Sequence, residues 1–356
     1  MDFPRQVAIK AISKSDVRSN QSYFDAVANE RKILVAANGT DGDFLTKLLS
    51  CFQDDDNIYF VMRLYVKDLS QFMREFTGGM PLEYIRHYIA ELVLGMQQLQ
   101  SAKIIHGDLK PNNIFVTPTG HLAIGDFGLG QLLGVRDFRN HKRRCGQIGT
   151  PHYFAPEILD PDYILEHGYG QTLDSWTFGL ILAEMSGIKG PLFRSKDMHA
   201  LKDEIEAADI EKKLSPVEDD KLRALISKLL VKDPMERLSL LDIHEDEFFH
   251  GLDWSAVKAR TWIDNVEIPT KLLNTERELK KPSVAPTGNP TTSSPKAWAR
   301  LDYTSKQEHL VDAMHGECKL EIRPVDKHDP VWSHYVTPLD DPISTFATDF
   351  SRCPEF

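Results

Sequence analysis

The stretch Ile104-Ile105-His106-Gly107-Asp108-Leu109-Lys110-Pro111-Asn112-Asn113-Ile114 sets an asparagine five positions and a lysine two positions after a carboxylate. Phosphoryl transfer uses these types: a carboxylate to orient and deprotonate an attacking hydroxyl, an ammonium to neutralise the moving group, and an oxygen ligand for a divalent ion. Taken alone, the pattern reads equally as a polar loop whose aspartate caps a turn. Eighteen residues on, Gly125-Asp126-Phe127-Gly128 offers a second carboxylate beside an aromatic and a glycine; alone it is an ordinary glycine-rich turn. Val7-Ala8-Ile9-Lys10 ends a strand-like run on a lysine, and Glu30 follows twenty residues later. Singly, each is a solvated surface charge. Gly149-Thr150-Pro151-His152-Tyr153-Phe154-Ala155-Pro156-Glu157, Asp174-Ser175-Trp176-Thr177-Phe178-Gly179 and Arg237 complete the set, with Glu157 and Arg237 a candidate structural clamp. Coincidental polar loops do not reproduce that order.

The elements that must position these groups follow from hydrophobic period. Gln6 to Ile12 alternates as a strand, Phe24 to Ala36 suits a helix, and Asn57 to Met62 suits a second strand. In Leu82 to Gln100 apolar residues recur at three and four positions, the stripe of a helix laid on a core. Ile114-Phe115-Val116 and Leu122-Ala123-Ile124 flank a Thr-Pro-Thr-Gly turn, a short hairpin. Trp176 to Met185 is apolar nearly all round, which marks a helix at the centre of a helical body, and Leu222 to Leu230 carries another amphipathic stripe.

Composition limits the alternatives. The chain has 356 residues, 41% apolar and 27% charged, which suits a folded globular protein of about two domains by the usual ~150 residues each. A net charge of −11 repels phosphate backbones, so nucleic acid is not an expected partner. Four scattered cysteines argue against a zinc site or disulfide framework. The first sixteen residues include Asp2, Arg5, Lys10, Lys14 and Asp16 and hold no signal-peptide core, and no apolar run reaches a bilayer span. A cytoplasmic or nuclear setting is the expectation.

Together these motifs resemble the eukaryotic serine/threonine protein kinases from residue 7 to about residue 250. The resemblance implies an α+β, bilobal fold: a β-rich N-lobe over 1–64, a mainly helical C-lobe over 65–254, and a tail over 255–356 with a Pro/Ser/Thr linker near 280–296. It implies ATP and Mg2+ as cofactors and a protein hydroxyl as acceptor. Asp108 would be the catalytic base, with Lys110 on the γ-phosphate and Thr150 supporting Asp108; Asn113 and Asp126 would hold magnesium. Lys10 would hold the α- and β-phosphates and pair with Glu30. Met62 would gate the adenine pocket, and Arg63 to Tyr65 would form its hinge, with Ala8 and Phe115 also among the cofactor-binding positions. Leu34, Leu48, His106 and Phe127 are similar to the packing column of the family.

Three segments, around Glu30-Arg31-Lys32, Cys51-Phe52-Gln53-Asp54 and Phe248 to Trp254, look like the AGC group, and Thr345 to Ser351 looks like that group's tail tether, a plain unstructured tail being the alternative. Asp68 and Glu184 match acids that bind substrate arginines, whereas Asn112 replaces a frequent glutamate, so a substrate basic around its acceptor is an expectation. The family's glycine-rich loop is missing before Val7. That absence reads as an N-terminally truncated gene product, because every downstream catalytic type is in place; the rival reading is a pseudokinase-type binding scaffold with a vestigial nucleotide pocket. It also leaves the lysine strand without a neighbour on one side, an edge open to aggregation or docking. Finally, Gly107 replaces an arginine that receives an activation-loop phosphate in many kinases, and no Ser, Thr or Tyr lies between Asp126 and Gly149. The expectation is a kinase not switched by phosphorylation there, with the basic run His141 to Arg144 held by acids or simply solvated.

Overall fold

A computed structural model describes residues 6–17, 21–53, 57–76, 79–132, 149–167, 172–195, 197–265, 303–304 and 321–323. The linker near 280–296, the run His141 to Arg144 and the tether-like Thr345 to Ser351 lie outside the described residues. The architecture is α+β, in two compact units that divide after Tyr65, with residues Gly39–Leu45 belonging to the second.

The first unit is built on β1 (Gln6–Ser13), β2 (Leu48–Gln53) and β3 (Asn57–Arg63), with the one-turn helix α1 (Lys14–Val17) and the long helix α2 (Gln21–Asn38) between β1 and β2. β3 runs antiparallel to both neighbours, pairing Lys10 with Phe60 and Ala8 with Met62 on one side and Cys51 with Phe60 on the other. Val7, Ile12, Ile58, Phe60 and Val61 are buried, as are Val27, Ile33 and Leu34 of α2. Asn38 ties the helix end to β2: its Nδ2 donates to Leu48 O at 2.6 Å and its Oδ1 accepts from Leu48 N at 3.0 Å.

The far edge of the lysine strand differs from the sequence expectation. The lysine strand is not left open on its far side: Gln6, Val7 and Ala8 pair in parallel with Glu321, Ile322 and Arg323, and Ser50 and Cys51 of β2 pair with Thr304 and Tyr303. An edge strand presents a row of unsatisfied N–H and C=O groups, and these late segments supply partners for both.

The second unit is mainly helical. β4 (Lys67–Asp68) leads into α3 (Leu69–Met73), and α4 (Leu82–Ser101) buries Ile85, Tyr88, Ile89, Leu92, Val93, Met96 and Leu99, the stripe its period implies. Beyond it come β5 (Ile104–Ile105), a 3-10 turn over Pro111–Asn113, and the hairpin β6 (Ile114–Val116) and β7 (Leu122–Ile124), closed by Thr117 and Gly120, whose φ of 86° suits only glycine without strain. β8 (Gln131–Leu132) pairs back onto β5. After α5 (Pro161–His167), α6 (Thr172–Met185) is buried at nearly every position from Leu173 on, as its uniform apolarity requires. Next come α7 (Met198–Ala207), α8 (Ile210–Leu214) and α9 (Asp220–Leu229), each begun by an aspartate (Asp197, Asp209 and Asp219) whose carboxylate accepts first-turn N–H groups.

Order continues past Trp254. α10 (Trp254–Ala259) and a 3-10 turn over Trp262–Asn265 pack onto α4. Trp262 is buried; its Nε1 donates to Glu91 Oε1 at 2.8 Å and its ring stacks on His87. His121 shares the same carboxylate oxygen at 2.5 Å, and Leu122 N donates to the other at 2.7 Å.

Candidate active site

In the first unit Lys10 Nζ donates to Glu30 Oε1 at 2.6 Å, and both side chains are about 3% exposed. Burying an ammonium and a carboxylate is costly, and a pair this close offsets that cost only because neither stands alone. The strand fixes the lysine and α2 the glutamate, so the pair locks the helix to the sheet. Ala8 and Met62 are cross-strand neighbours; Met62 is buried, while Arg63 at the end of β3 and Tyr65 just beyond are half-buried. Leu34 and Leu48 lie in the core of this unit.

In the second unit three of the sequence-derived residues, Thr150, Lys110 and Asn113, gather around Asp108. Thr150 clamps one carboxylate oxygen, its backbone N and its Oγ1 donating to Oδ1 at 2.9 and 2.8 Å. Lys110 Nζ donates to the other oxygen, Oδ2, at 2.6 Å and to Thr150 Oγ1 at 2.8 Å. Asn113 Nδ2 donates to Asp108 O at 2.8 Å and to Oδ2 at 3.2 Å. These bonds hold the aspartate carboxylate in one orientation.

His106 sets the second carboxylate by the same means. Its ring is fully buried, receives Asp108 N–H on Nδ1 at 3.3 Å and donates from Nε2 to Gly125 O at 3.0 Å. Burial lowers its pKa, with the Gly125 bond and the nearby Asp108 and Asp126 opposing, which suits the neutral ring these two bonds require. Gly125 N also donates to Asn113 O at 2.9 Å, so the backbone leading into Asp126 is fixed on both sides. Asp126 itself has φ +57°, a left-handed conformation uncommon for a residue with a side chain and concentrated at functional sites. Phe127 is buried beside His106, their ring centroids 5.4 Å apart.

The residues fit a magnesium ion. Asn113 is fully buried, and its Oδ1 has no hydrogen-bond partner among the described residues although its amide nitrogen makes two bonds. A buried acceptor without a donor is costly unless something charged or polar meets it. With the Asp126 carboxylate one residue from a backbone bond to Asn113, the donors are hard oxygens. One carboxylate and one amide leave positions for phosphate oxygens and water, magnesium's habitual arrangement. Among the described residues no group of three or more His, Cys, Asp or Glu is placed to hold a metal ion.

Asp174, in the first turn of α6, supports the loop that carries Asp108. Its carboxylate accepts the backbone N–H of His106 at 3.4 Å and that of Gly107, and complete burial pushes its pKa up to about 7 against those two bonds. Arg237 and Glu157 form the clamp their types suggested, with NH1 to Oε1 at 2.6 Å and NH2 to Oε2 at 2.8 Å, the guanidinium lying over Trp176. Phe115 is buried opposite Ala123 and Asp68.

The two acids read as substrate contacts differ. Asp68 is 6% exposed and caps α3, accepting Gln71 N at 2.7 Å, so its carboxylate has a structural partner. Glu184 accepts Tyr153 O–H at 2.7 Å; burial raises its pKa while that bond lowers it, and burial, then the charge of Glu184, raises the tyrosine. Sequence reading missed the role of Asp174 in holding the loop; its place in Asp-x-Trp-x-x-Gly was noted, but burial is not written in a motif.

The buried Lys–Glu pair lies in the first unit, and the clamped Asp108 carboxylate and the buried Asn113 amide oxygen lie in the second. The protein kinase domain family model matches residues 2–249, and the chain belongs to that family. It is 31% identical over 284 residues to the probable serine/threonine protein kinase IRE of Arabidopsis thaliana, covering 70% of this chain and 23% of that protein. It is 31% identical over 266 residues to the serine/threonine protein kinase ypkA of Aspergillus fumigatus, covering 73% and 39%. Over 325 residues it is 30% identical to the RAC family serine/threonine-protein kinase homolog of Dictyostelium discoideum, covering 85% and 67%. The chain thus spans from under a quarter to about two thirds of the length of these relatives.

Proposed function

We propose that this chain is a serine/threonine protein kinase that moves the γ-phosphoryl group of magnesium-bound ATP to a protein hydroxyl. The clamped Asp108 carries the reading: Thr150 on Oδ1, Lys110 and Asn113 on Oδ2, and a buried Asn113 oxygen left for a cation. In this reading a Ser or Thr oxygen bonds to the γ-phosphorus, the bond to the bridging oxygen breaks, ADP leaves, and the hydroxyl proton passes to the Asp108 carboxylate. Lys110 neutralises charge on the moving group, and Lys10, held by Glu30, binds the α- and β-phosphates. Asn113 and Asp126 would hold the magnesium, which shields the negative charge gathering on the phosphate oxygens. Ala8, Met62, Arg63, Tyr65 and Phe115 are assigned to the adenine.

For the acceptor we propose a sequence with arginine upstream of the hydroxyl, read by Glu184, since Asp68 is engaged as a helix cap. A positional peptide library should enrich upstream arginine, and Glu184→Ala should erase the enrichment; a flat library contradicts it. Incorporation of labelled phosphate from γ-labelled ATP into a serine peptide tests the reaction itself. Label in the peptide supports the kinase; no label, together with no magnesium-ATP thermal stabilisation, would establish the scaffold reading instead.

A further inference from the structure

The strand β7 runs straight into Gly125-Asp126, and only one of its sides is covered by another strand, the sheet order being β4-β6-β7. An edge strand carries N–H and C=O groups that must find other partners. On this edge side chains and one loop supply them. Leu122 N donates to Glu91 Oε2 at 2.7 Å, the Arg260 NH2 group donates to Leu122 O at 2.9 Å, and Ile124 N donates to Phe44 O at 2.8 Å. The same guanidinium nitrogen donates to Asp43 O at 2.6 Å, and the guanidinium carbon lies 4.5 Å from the centre of the Phe44 ring. Arg260 thus joins the loop before Leu45 to the outer edge of β7.

Trp262 makes the second tie. Its Nε1 bond to Glu91 Oε1 orients, from the other oxygen, the carboxylate that holds Leu122 N. Both residues follow Phe249, where the match to the family model stops. Arg260 carries a further sign that its side chain is in use. It ends α10 with φ +59° and ψ +32°, a left-handed cap for which glycine is the favoured residue. A residue with a Cβ bears a penalty there, and such a conformation persists where its surroundings hold it. The surroundings here are two carbonyl oxygens and an aromatic face.

We propose that Arg260 and Trp262 are positioning residues for Asp126: by tying the outer edge of β7 they fix the strand that leads into this carboxylate. The segment Trp254–Asn265 is then a working part of the catalytic unit, not a linker leaving it. The link is short, since Asp126 follows Leu122 by four positions and Gly125 N is bonded to Asn113 O at 2.9 Å. This rests on the kinase reading, in which Asn113 and Asp126 hold magnesium, and adds to that site two residues beyond the family match.

The test is Arg260→Gly in the full chain. Glycine relieves the left-handed cap, so α10 keeps its end, while both carbonyls and the Phe44 ring lose their partner. Without nucleotide or magnesium, amides 122–126 should exchange hydrogen about tenfold faster than in wild type, with those of α10 little changed. In transfer assays kcat should fall about tenfold and the magnesium concentration giving half the maximal rate should rise by a similar factor, with KM for peptide unchanged. That pattern marks a displaced metal ligand rather than a lost acceptor contact. Trp262→Phe, a second variant that keeps a ring but removes the N–H, should move the same amides and the same magnesium dependence in the same direction. Arg194→Ala is the control: this exposed arginine also donates to backbone carbonyls, those of Lys189 and Pro191, but in the loop before α7, and its loss should move none of these readouts. Wild-type exchange at 122–126 in Arg260→Gly would overturn the proposal, as would faster exchange with an unaltered magnesium requirement. If wild type itself transfers no phosphate yet these amides still depend on Arg260, the tie to β7 is supported and the kinase reading is what falls.

Discussion

Replacing Asp174 by asparagine should change how stability depends on pH more than it changes stability at any one pH. In the folded protein this carboxyl is completely buried, and its pKa rises from 3.8 to about 7. The folded state thus holds a proton more tightly than the unfolded chain, so this group favours folding most below the unfolded pKa and loses that contribution as pH climbs through the folded one. Three pH units at about 1.4 kcal/mol each give on the order of 4 kcal/mol. Asparagine keeps the shape and one acceptor but has no proton to release. Urea melts of both proteins between pH 4 and 8.5 give the two stabilities directly. The wild-type value minus the Asp174→Asn value should fall by about 1.4 kcal/mol per pH unit up to roughly pH 7 and then level off. Parallel curves across that range would refute the argument, because they would mean that this carboxyl titrates alike in both states.

Three further outcomes follow from buried groups. Arg237→Met strands the Glu157 carboxylate, which is 2% exposed, and should cost about 3–5 kcal/mol in denaturant melts, whereas adding Glu157→Gln to it should recover part of the loss. Trp262→Ala should cost about 3–5 kcal/mol by the same assay, as a buried ring is lost, and Trp262→Phe about 1–3, since Glu91 then loses one donor. Glu30→Gln should keep the fold but weaken the hold on Lys10, seen as a raised KM for ATP with peptide KM little changed; an unaltered KM for ATP would remove Glu30 from the nucleotide assignment.

Much of the site was legible because its chemistry is local in sequence. Asp108, Lys110 and Asn113 lie within six residues, and the helix, hairpin and turn around them each announce themselves by period or by Thr-Pro-Thr-Gly. The strand Leu48–Gln53 escaped notice: Leu-Leu-Ser-Cys-Phe-Gln does not alternate, because its burial follows two strand neighbours and a bulge near Leu48 and Ser50 rather than one solvent face. Contacts between distant residues were equally silent. The Glu91–His121–Trp262 cluster joins three elements whose members look like ordinary surface or core residues one at a time. Glu321 to Arg323 shows nothing in its own sequence of the strand it meets. Gly107 was visible as a departure from the family, but the carbonyl of Leu129 lying 2.7 Å from where a Cβ would stand emerges only from coordinates.

Nucleotide binding and phosphoryl transfer separate at two carboxylates, Asp108 and Asp126. With magnesium-ATP at about 100 times its dissociation constant, wild type should gain about 2.7 kcal/mol, read as a rise in melting temperature. Asp108→Asn should show the same rise yet transfer almost no labelled phosphate to a serine peptide, while Asp126→Ala should lose both. An Asp126→Ala protein that is stabilised and transfers phosphate like wild type would contradict the account.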